Sequence, residues 1–466
     1  MTEDELAFLD ATAVARLLHT RKLSPVELTR ALLARIDKLE PRLGAYALVT
    51  PEVALAQAKD AETLLMQHRI LSPLHGVPIG LKDLHHTKGI RTMAGMPIHR
   101  DFVPAFDGTV VSRLREAGTV LLGKLQMTEG AFADHHPAVR VPVNPWHPDH
   151  WSGASSSGTG VALAAGLCFA ATGTDTGGSI RFPAAANGVT GLKPTWGRVS
   201  VYGAFELAAS LDHIGTMARS AADCGAMLGL IAGADPNDPT ALRDPVPDYL
   251  AGDPTQLSDL RIGIDVEYAS GLDEPTRRAF DDAASTLRTL GAEIRAVRFP
   301  DPSDAIRDWP LACAVETAVA HEATYPARRS EYGPGLAGLI DLGRAASAVE
   351  MQKVWLRRRA FAGRVNALFE SIDLLLVPAQ PIASPTDRQM AALGVDPEGF
   401  ARLVRFTAPF DFSGHPTITL PAGFTAHGTP VAVQLVAGRL QEARLVRAGM
   451  AFQRVTDWHR RRPAPR

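Results

Sequence analysis

Short apolar runs alternate with helical patterns through most of this chain, and this alternation constrains its fold more than any other feature. The runs lie at residues 77–82, 119–122, 169–173, 261–266, 292–299, 374–377, 417–420 and 431–436. Strands that alternate with helices favour an α/β fold, in which helices pack on both faces of a sheet. We therefore predict a single large α/β/α sandwich, with a mixed, twisted sheet covered by helices on both faces.

The size and charge of the chain exclude several classes of protein. With 466 residues, of which 46% are hydrophobic, the chain can bury a sizeable core without cross-links. Its 48 basic and 50 acidic residues give a net charge of −2, which provides no electrostatic surface for nucleic acid. The longest apolar stretch, residues 161–171, is too short to cross a bilayer, and the acidic residues 1–5 do not resemble a signal peptide. We expect a cytoplasmic protein that binds neither nucleic acid nor a membrane.

Cysteines and histidines do not indicate a disulfide framework or a metal site. Cys168, Cys224 and Cys313 are widely spaced and form no C-x-x-C pair, which is typical of a reducing compartment. Three histidine pairs lie in Pro-rich loops rather than one turn apart on a helix, where metal ligands are often found. These pairs are His85–His86, His135–His136 and His147–His150. The Gly-Thr-Gly at 158–160 does not continue as a dinucleotide-binding motif, because Leu163 stands where its last glycine would be.

Two proline-rich stretches interrupt the helical and apolar patterns. Residues 234–256 are predicted to cross the surface, and residues 380–398 are predicted to form a long loop. Neither stretch has the low complexity of a free linker. We predict one domain over residues 1–466, made of N-terminal helices (1–71), a central part (72–233) and a C-terminal part (257–466).

Helical patterns dominate the first seventy residues. Ser24, followed by a proline, is typical of an N-cap, and the helix that it begins is predicted to close at Pro41 and Gly44. A second helix is predicted to begin at Pro51. Residues 161–171 are rich in small side chains and are predicted to form a helix packed closely on the sheet.

Two segments rich in Gly and Ser, residues 152–160 and 173–183, are the strongest candidates for a functional site. Small residues allow backbone N–H groups to converge on an anion. Ser179 directly follows two glycines, so a nucleophile there would lie beside N–H groups that can stabilise a tetrahedral intermediate. Either segment alone would also suit an ordinary surface loop.

A lysine is the candidate base for such a serine. The G-x-S-x-G elbow of the α/β-hydrolases is absent, because Arg181 stands where its second glycine would be. No histidine is placed as a base by its position in the sequence. Lys82 ends the apolar run 77–82, and burial lowers the pKa of a lysine because it disfavours the charged amine.

Together these segments resemble the amidase signature family of serine hydrolases. Residues 76–83, Gly-Val-Pro-Ile-Gly-Leu-Lys-Asp, match the family's lysine strand, and residues 153–158 match its Gly/Ser-rich loop. Residues 175–181, followed by 191–195, match its nucleophile segment. The resemblance covers nearly the whole chain and is strongest over residues 72–220, the part that carries all three motifs in order.

The resemblance implies a Ser-Ser-Lys triad of Lys82, Ser155 and Ser179. The spacing to Ser179 selects Ser155 rather than its serine neighbours, although Ala154 stands where the family usually has glycine. Ser155 is expected to follow a cis peptide bond. Lys82 is expected to act as base, Ser155 as proton relay and Ser179 as the nucleophile that forms an acyl-enzyme. The family requires neither a metal nor an organic cofactor.

Further roles follow from the same resemblance. Asp175 and Arg181 are expected to pair behind the nucleophile loop and to fix its shape. The oxyanion is expected to be bound by the backbone N–H groups of Thr176, Gly177, Gly178 and Ser179.

The implied activity is hydrolysis of a small amide, with an ester or a carbamate as further substrates. Specificity is expected from residues 126–132, 135–146, 202–207 and 380–410, which contain many apolar and few charged side chains. An apolar or aromatic acyl group is therefore predicted. The candidate substrate-binding residues are Gln126, Met127, Phe132, Trp146, Phe205 and Phe406. The expected partner is the small-molecule amide itself, and a homodimer is the candidate assembly.

Two alternatives stay open from the sequence. One is the glutamine-hydrolysing component of a glutamine-dependent tRNA amidotransferase, which belongs to the same family and carries an acidic glutamine-recognition residue just before the segment at 406–409. Val404 or Arg405 stands there in this chain, so the carboxylate is missing. The other is a non-catalytic binding protein on the same scaffold, which the intact triad disfavours.

Overall fold

One mixed β-sheet of eleven strands runs through the described part of the chain, residues 2–394 and 396–464 of a computed structural model. The strands are β1 (Tyr46–Val49), β2 (Pro78–Lys82), β3 (Val120–Leu125), β4 (Ala170–Asp175), β5 (Thr190–Lys193), β6 (His213–Ala218), β7 (Arg261–Ile264), β8 (Glu293–Ala296), β9 (Leu374–Pro378), β10 (Thr417–Phe424) and β11 (Pro430–Ala437). Their order across the sheet is β1-β3-β2-β4-β6-β5-β10-β11-β9-β7-β8.

Both pairing directions occur in this sheet. β2 is parallel to β3 and β4, and β7 is parallel to β8 and β9. The other neighbouring strands are antiparallel. Successive residues of a strand point to opposite faces, and every residue of β2, β3, β4, β5, β6, β9 and β11 is buried, so both faces are covered. The predicted α/β sandwich with a mixed sheet is confirmed.

Sixteen α-helices in the described residues flank the sheet. They are α1 (Glu3–Ala7), α2 (Ala11–His19), α3 (Pro25–Leu43), α4 (Pro51–Met66), α5 (Thr109–Glu116), α6 (Ser157–Ala164), α7 (Arg181–Asn187), α8 (Ala221–Ile231), α9 (Glu274–Thr289), α10 (Ser303–Ala320), α11 (Pro334–Ala345), α12 (Ala348–Ser371), α13 (Asp387–Gly394), α14 (Pro397–Val404), α15 (Ala408–Phe412) and α16 (Glu442–Val455). Among the helices of the described residues, none combines the length and the apolar character needed to cross a membrane.

The N-terminal helices begin where the capping residues predict. The Ser24 side chain accepts the N–H groups of Val26 and Glu27 at the start of α3. The helix continues through Pro41 to Leu43 and ends at Gly44, whose φ of 62° is left-handed and suits glycine. α4 begins at Pro51, as predicted.

The prediction of one helix over residues 161–171 is wrong. α6 ends at Ala164, and Gly166 takes a positive φ of 68°, which closes the helix. The chain then enters β4 at Ala170. Every residue of α6 and of β4 is buried, so both elements have apolar sequences without a polar face. Periodicity therefore could not show where the helix ends and the strand begins.

Strands β1, β5 and β6 were not predicted. β5 and β6 contain Gly, Thr or His among few large apolar side chains, and this composition hides their strand pattern. β1 is apolar but only four residues long. The predicted long loop at 380–398 contains α13 and the first turn of α14. Tertiary packing, rather than local periodicity, orders these segments.

Candidate active site

Lys82 is the last residue of β2, which lies between β3 and β4 in the sheet. Its side chain is fully buried. Lys82 Nζ lies 2.7 Å from Ser155 Oγ and 2.7 Å from Thr174 Oγ1. Burial lowers the pKa of Lys82 to about 7, although the negative charges of Asp175 and Asp212 act in the opposite direction. The amine can therefore lose its proton near neutral pH.

The Gly/Ser-rich loop before α6 presents Ser155 to this amine. The Ala154–Ser155 peptide bond is cis, as the family resemblance implies. Gly153 has a φ of 86°, and a side chain there would overlap Pro183 at the start of α7, so only glycine fits. The Ser155 carbonyl accepts the N–H of Thr128 at 3.1 Å. These constraints hold a fully buried Ser155 beside Lys82.

Ser179 lies in the turn between β4 and α7 and is only half-buried. Its carbonyl accepts the N–H of Ser156 at 3.3 Å, so the turn contacts the Ser155 loop directly. The structure therefore brings the three predicted triad residues into one region. Ser179 is the most exposed of the three. A residue that contacts the substrate must be accessible, and Ser179 meets this requirement.

The Asp175 carboxylate organises this turn. It accepts the N–H of Gly178 at 2.6 Å and the N–H of Ile180 at 2.9 Å. Within the described residues, the N–H groups of Thr176, Gly177 and Ser179 have no acceptor. Three of the four N–H groups predicted to bind an oxyanion are thus free, and the Gly178 N–H is engaged by Asp175.

A buried charge cluster lies behind the turn. Arg181 donates to Asp175 through Nε at 3.0 Å and through Nη2 at 2.7 Å, which is the pairing expected from the sequence. Arg181 Nη2 also donates to Asp411 of α15 at 2.5 Å. Burial alone would raise the pKa of Asp175, but the Arg181 guanidinium holds it far below its usual value. Burial raises the pKa of Asp411, which shares the same guanidinium.

Of the six candidate substrate-binding residues, Phe205 lines a pocket beside the Lys82 site. Phe205 lines a narrow pocket with Leu84, Ala131, Thr174 and Asp212, and Thr174 is the residue that contacts Lys82. Phe132 follows Ala131 and is half-buried, but it is not among the residues that line this pocket.

The structure does not bring the other four candidates to this pocket. The Gln126 side chain accepts the N–H of Met127, and Met127 is fully buried. Trp146 donates its indole N–H to Asn187 at the far end of α7 and packs on Phe424. Phe406 is fully buried against Tyr268 and Arg405. Aromatic composition could not separate pocket walls from core, because both environments favour the same side chains.

Four further residues contact the site and were not predicted: Thr174, Asp212, Trp309 and Asp411. A signal existed for Thr174, because Thr172 and Thr174 alternate on β4 and therefore point to one face of the sheet. Both meet Lys82, since Thr172 Oγ1 accepts the Lys82 N–H at 3.0 Å. The other three lie on segments distant in sequence, where no local pattern marks them.

The histidine pairs have other contacts in the structure. His135 Nε2 lies 3.0 Å from Ser157 Oγ, and burial lowers the pKa of His135 to about 4. His86 packs against Phe205. His150 Nδ1 lies 2.6 Å from the Ser384 carbonyl oxygen. Among residues 2–394 and 396–464, no group of three or more His, Cys, Asp or Glu side chains could hold a metal ion.

Comparisons with known proteins point in one direction. Residues 27–446 match the family model described as Amidase. The chain is 50% identical over 463 residues to AmiD of Mycobacterium tuberculosis (strain ATCC 25618 / H37Rv), with 99% of this chain and 97% of that protein covered. It is 38% identical over 473 residues to a component of the glutamyl-tRNA(Gln) amidotransferase of Geobacter sp. (strain M21), covering 95% and 96%. The solved peptide amidase of Stenotrophomonas maltophilia superposes with a TM-score of 0.82 at 29% identity, covering 98% of each chain.

Proposed function

Because this chain belongs to the Amidase family of amidase-signature enzymes, which hydrolyse amide C–N bonds, we propose that it is a free-standing amidohydrolase acting on a small neutral amide through a Ser179 acyl-enzyme. The observation that carries this proposal is the fully buried Lys82 amine, 2.7 Å from Ser155 Oγ. An amine with a pKa of about 7 is partly unprotonated at neutral pH and can accept a proton.

In the proposed reaction, neutral Lys82 takes a proton from Ser155, and Ser155 takes a proton from Ser179. Ser179 Oγ attacks the substrate carbonyl carbon, and the N–H groups of Thr176, Gly177 and Ser179 bind the oxyanion. The proton then returns by the same route to the leaving amine as the C–N bond breaks. Water hydrolyses the resulting ester, which releases the carboxylic acid and regenerates Ser179. No metal or organic cofactor has a role in these steps.

The side chains around the turn support an apolar or aromatic acyl group. The Trp309 ring covers Gly177, and Phe400 packs on Trp309 with ring centroids 6.0 Å apart. Phe205 lines the pocket that reaches Thr174. An ester or a carbamate would react by the same acyl transfer, because only the leaving group or the acyl portion differs.

The alternative function, as the glutamine-hydrolysing component of an amidotransferase, lacks support at the expected glutamine-recognition position. Val404 is buried, and Arg405 donates to the backbone carbonyls of Ser270 and Tyr268. Neither side chain supplies the carboxylate that this component uses. We further propose a cytoplasmic setting, supported by three buried cysteines that form no disulfide in the described chain. A homodimer stays a prediction.

Covalent labelling tests the proposed nucleophile. A fluorophosphonate should modify Ser179, and peptide mapping by mass spectrometry should find the adduct on that residue. The Ser179→Ala variant, shown to be folded by circular dichroism, is the control and should take no label. An adduct on Ser155 or Ser156, with Ser179 unmodified, would overturn the assignment.

A further inference from the structure

Thr176, the first residue after β4, is bound by side chains on two sides. Trp309 Nε1 donates to the Thr176 carbonyl oxygen at 2.8 Å. Thr176 Oγ1 donates to Asp212 Oδ1 at 2.5 Å. Thr176 is buried, so water does not compete for either bond. None of the proton-transfer or bond-forming steps proposed above uses Trp309 or Asp212.

The Trp309 contact determines which way the next N–H points. A trans peptide unit is planar, and its C=O and N–H point in opposite directions. Because the Thr176 carbonyl points at Trp309, the Gly177 N–H points to the opposite side of the same plane. The Trp309 ring also covers Gly177 so closely that a Cβ there would overlap it. The ring and its N–H together fix this peptide unit.

The Asp212 contact anchors the Thr176 side chain to the neighbouring strand. The second carboxylate oxygen of Asp212 accepts the N–H groups of Leu207 at 2.9 Å and Ala208 at 3.1 Å. Asp212 directly precedes β6, and β6 pairs with β4 up to Asp175. The carboxylate is therefore fixed by its own loop before it binds Thr176.

We propose that Trp309 and Asp212 are positioning residues that aim the oxyanion donors of the Thr176–Ser179 turn. They fix the carbonyl and the hydroxyl of Thr176, so that the Gly177 N–H is directed at the oxygen on which charge develops. This inference rests on the function proposed above. Such donors stabilise the transition state more than the bound substrate, so their misalignment lowers kcat and leaves KM nearly unchanged.

Two variants each remove one of these hydrogen bonds and keep a side chain of similar shape. Trp309→Phe keeps an aromatic ring over Gly177 but lacks the indole N–H. Thr176→Val keeps a β-branched side chain but lacks the hydroxyl that binds Asp212. Tyr46→Phe is the matched control, because it removes another buried aromatic donor to a backbone carbonyl. Tyr46 lies on the edge strand β1 and donates to the Leu167 carbonyl oxygen at 3.1 Å.

The measurements are kcat and KM on a neutral anilide, the inhibition constant of phenylboronic acid, the pH profile and Tm. The serine oxygen adds to boron to form a tetrahedral anion that resembles the intermediate. For Trp309→Phe and Thr176→Val we expect kcat about 10-fold lower, boronate binding about 10-fold weaker and KM within about 3-fold of wild type. The pH profile of Trp309→Phe should keep its midpoint, because this substitution changes no titratable group. Tyr46→Phe should lower Tm and change neither kcat nor boronate binding.

Each outcome bears on a separate part of the inference. Wild-type kcat and boronate binding in Trp309→Phe would overturn the role of Trp309, and the same result in Thr176→Val would overturn that of Asp212. Losses in Tm alone, as in the Tyr46→Phe control, would make both contacts structural only. A wild-type protein that hydrolyses no amide and takes no fluorophosphonate label would overturn the proposed function, and this inference with it.

Discussion

Lys82 is a buried amine, and its ability to act as a base depends on losing its proton. We expect Lys82→Ala to lower kcat by about 10²–10⁴, the range typical of removing a general base. Lys82→Arg should not restore activity, because a guanidinium does not deprotonate near neutral pH. Steady-state kinetics on an anilide, with circular dichroism to verify folding, measures both effects. Activity near wild type in the Arg variant would exclude Lys82 from the mechanism.

The pH dependence of the reaction follows from the same residue. Burial lowers the pKa of Lys82 to about 7, so the amine is protonated below this pH and neutral above it. Since only the neutral amine accepts a proton, kcat/KM should rise as pH increases through about 7 and level off above it. The measurement is kcat/KM between pH 5.5 and 9 at constant ionic strength. A flat profile, or one that falls through pH 7, would contradict this role.

The connection between β4, the nucleophile turn and α7 depends on one buried cation. Arg181 binds both Asp175 and Asp411, and all three side chains are fully buried. Arg181→Met would leave two buried carboxylates without their partner, and we expect unfolding free energy to fall by about 3–5 kcal/mol. Urea unfolding measures this loss.

An exposed pair provides the control for that substitution. Arg295 binds Glu293 at 2.8 Å on the surface, where water screens the pair, so Arg295→Met should destabilise the protein far less than Arg181→Met. Equal losses in the Arg181→Met and Arg295→Met variants would show that the buried cluster does not stabilise the turn.

For the whole molecule, the question is whether the chain acts alone. We expect the purified protein, without a partner or ATP, to prefer a neutral anilide over glutamine by more than about 10-fold in kcat/KM, or about 1.4 kcal/mol of discrimination. The Phe205, Trp309 and Phe400 rings offer apolar surface that suits an anilide, and the carboxylate expected to recognise glutamine just before residues 406–409 is missing.

The same two substrates, assayed before and after incubation with cell extract, distinguish the alternatives. A preference for the anilide in both conditions would support the free-standing amidohydrolase. Glutaminase activity that dominates, or that develops only with extract, would favour the amidotransferase component.

Local patterns were sufficient to predict most of the sheet, and the candidate triad followed from the resemblance to the amidase signature family. Apolar runs at strand length correctly placed β2, β3, β4, β7, β8, β9, β10 and β11. β5 and β6 were missed because their short, Gly- and Thr-containing sequences look like loops. Trp146, Met127 and Phe406 were assigned to the pocket on composition alone, and the structure places them away from it, because an aromatic or sulfur side chain suits a core equally well.

The sequence by itself determined the α/β architecture and the order of the three motifs, since strand periodicity and glycine-rich turns are properties of neighbouring residues. Only the tertiary structure decided that Lys82 loses all contact with water, which is what lowers its pKa to about 7. The contacts of Trp309, Asp212 and Asp411 with the turn around Ser179 were likewise visible only in the tertiary structure. The physical reason is that such contacts depend on how α10, α15 and the sheet pack together, and no local pattern specifies the packing of segments that lie far apart in the chain.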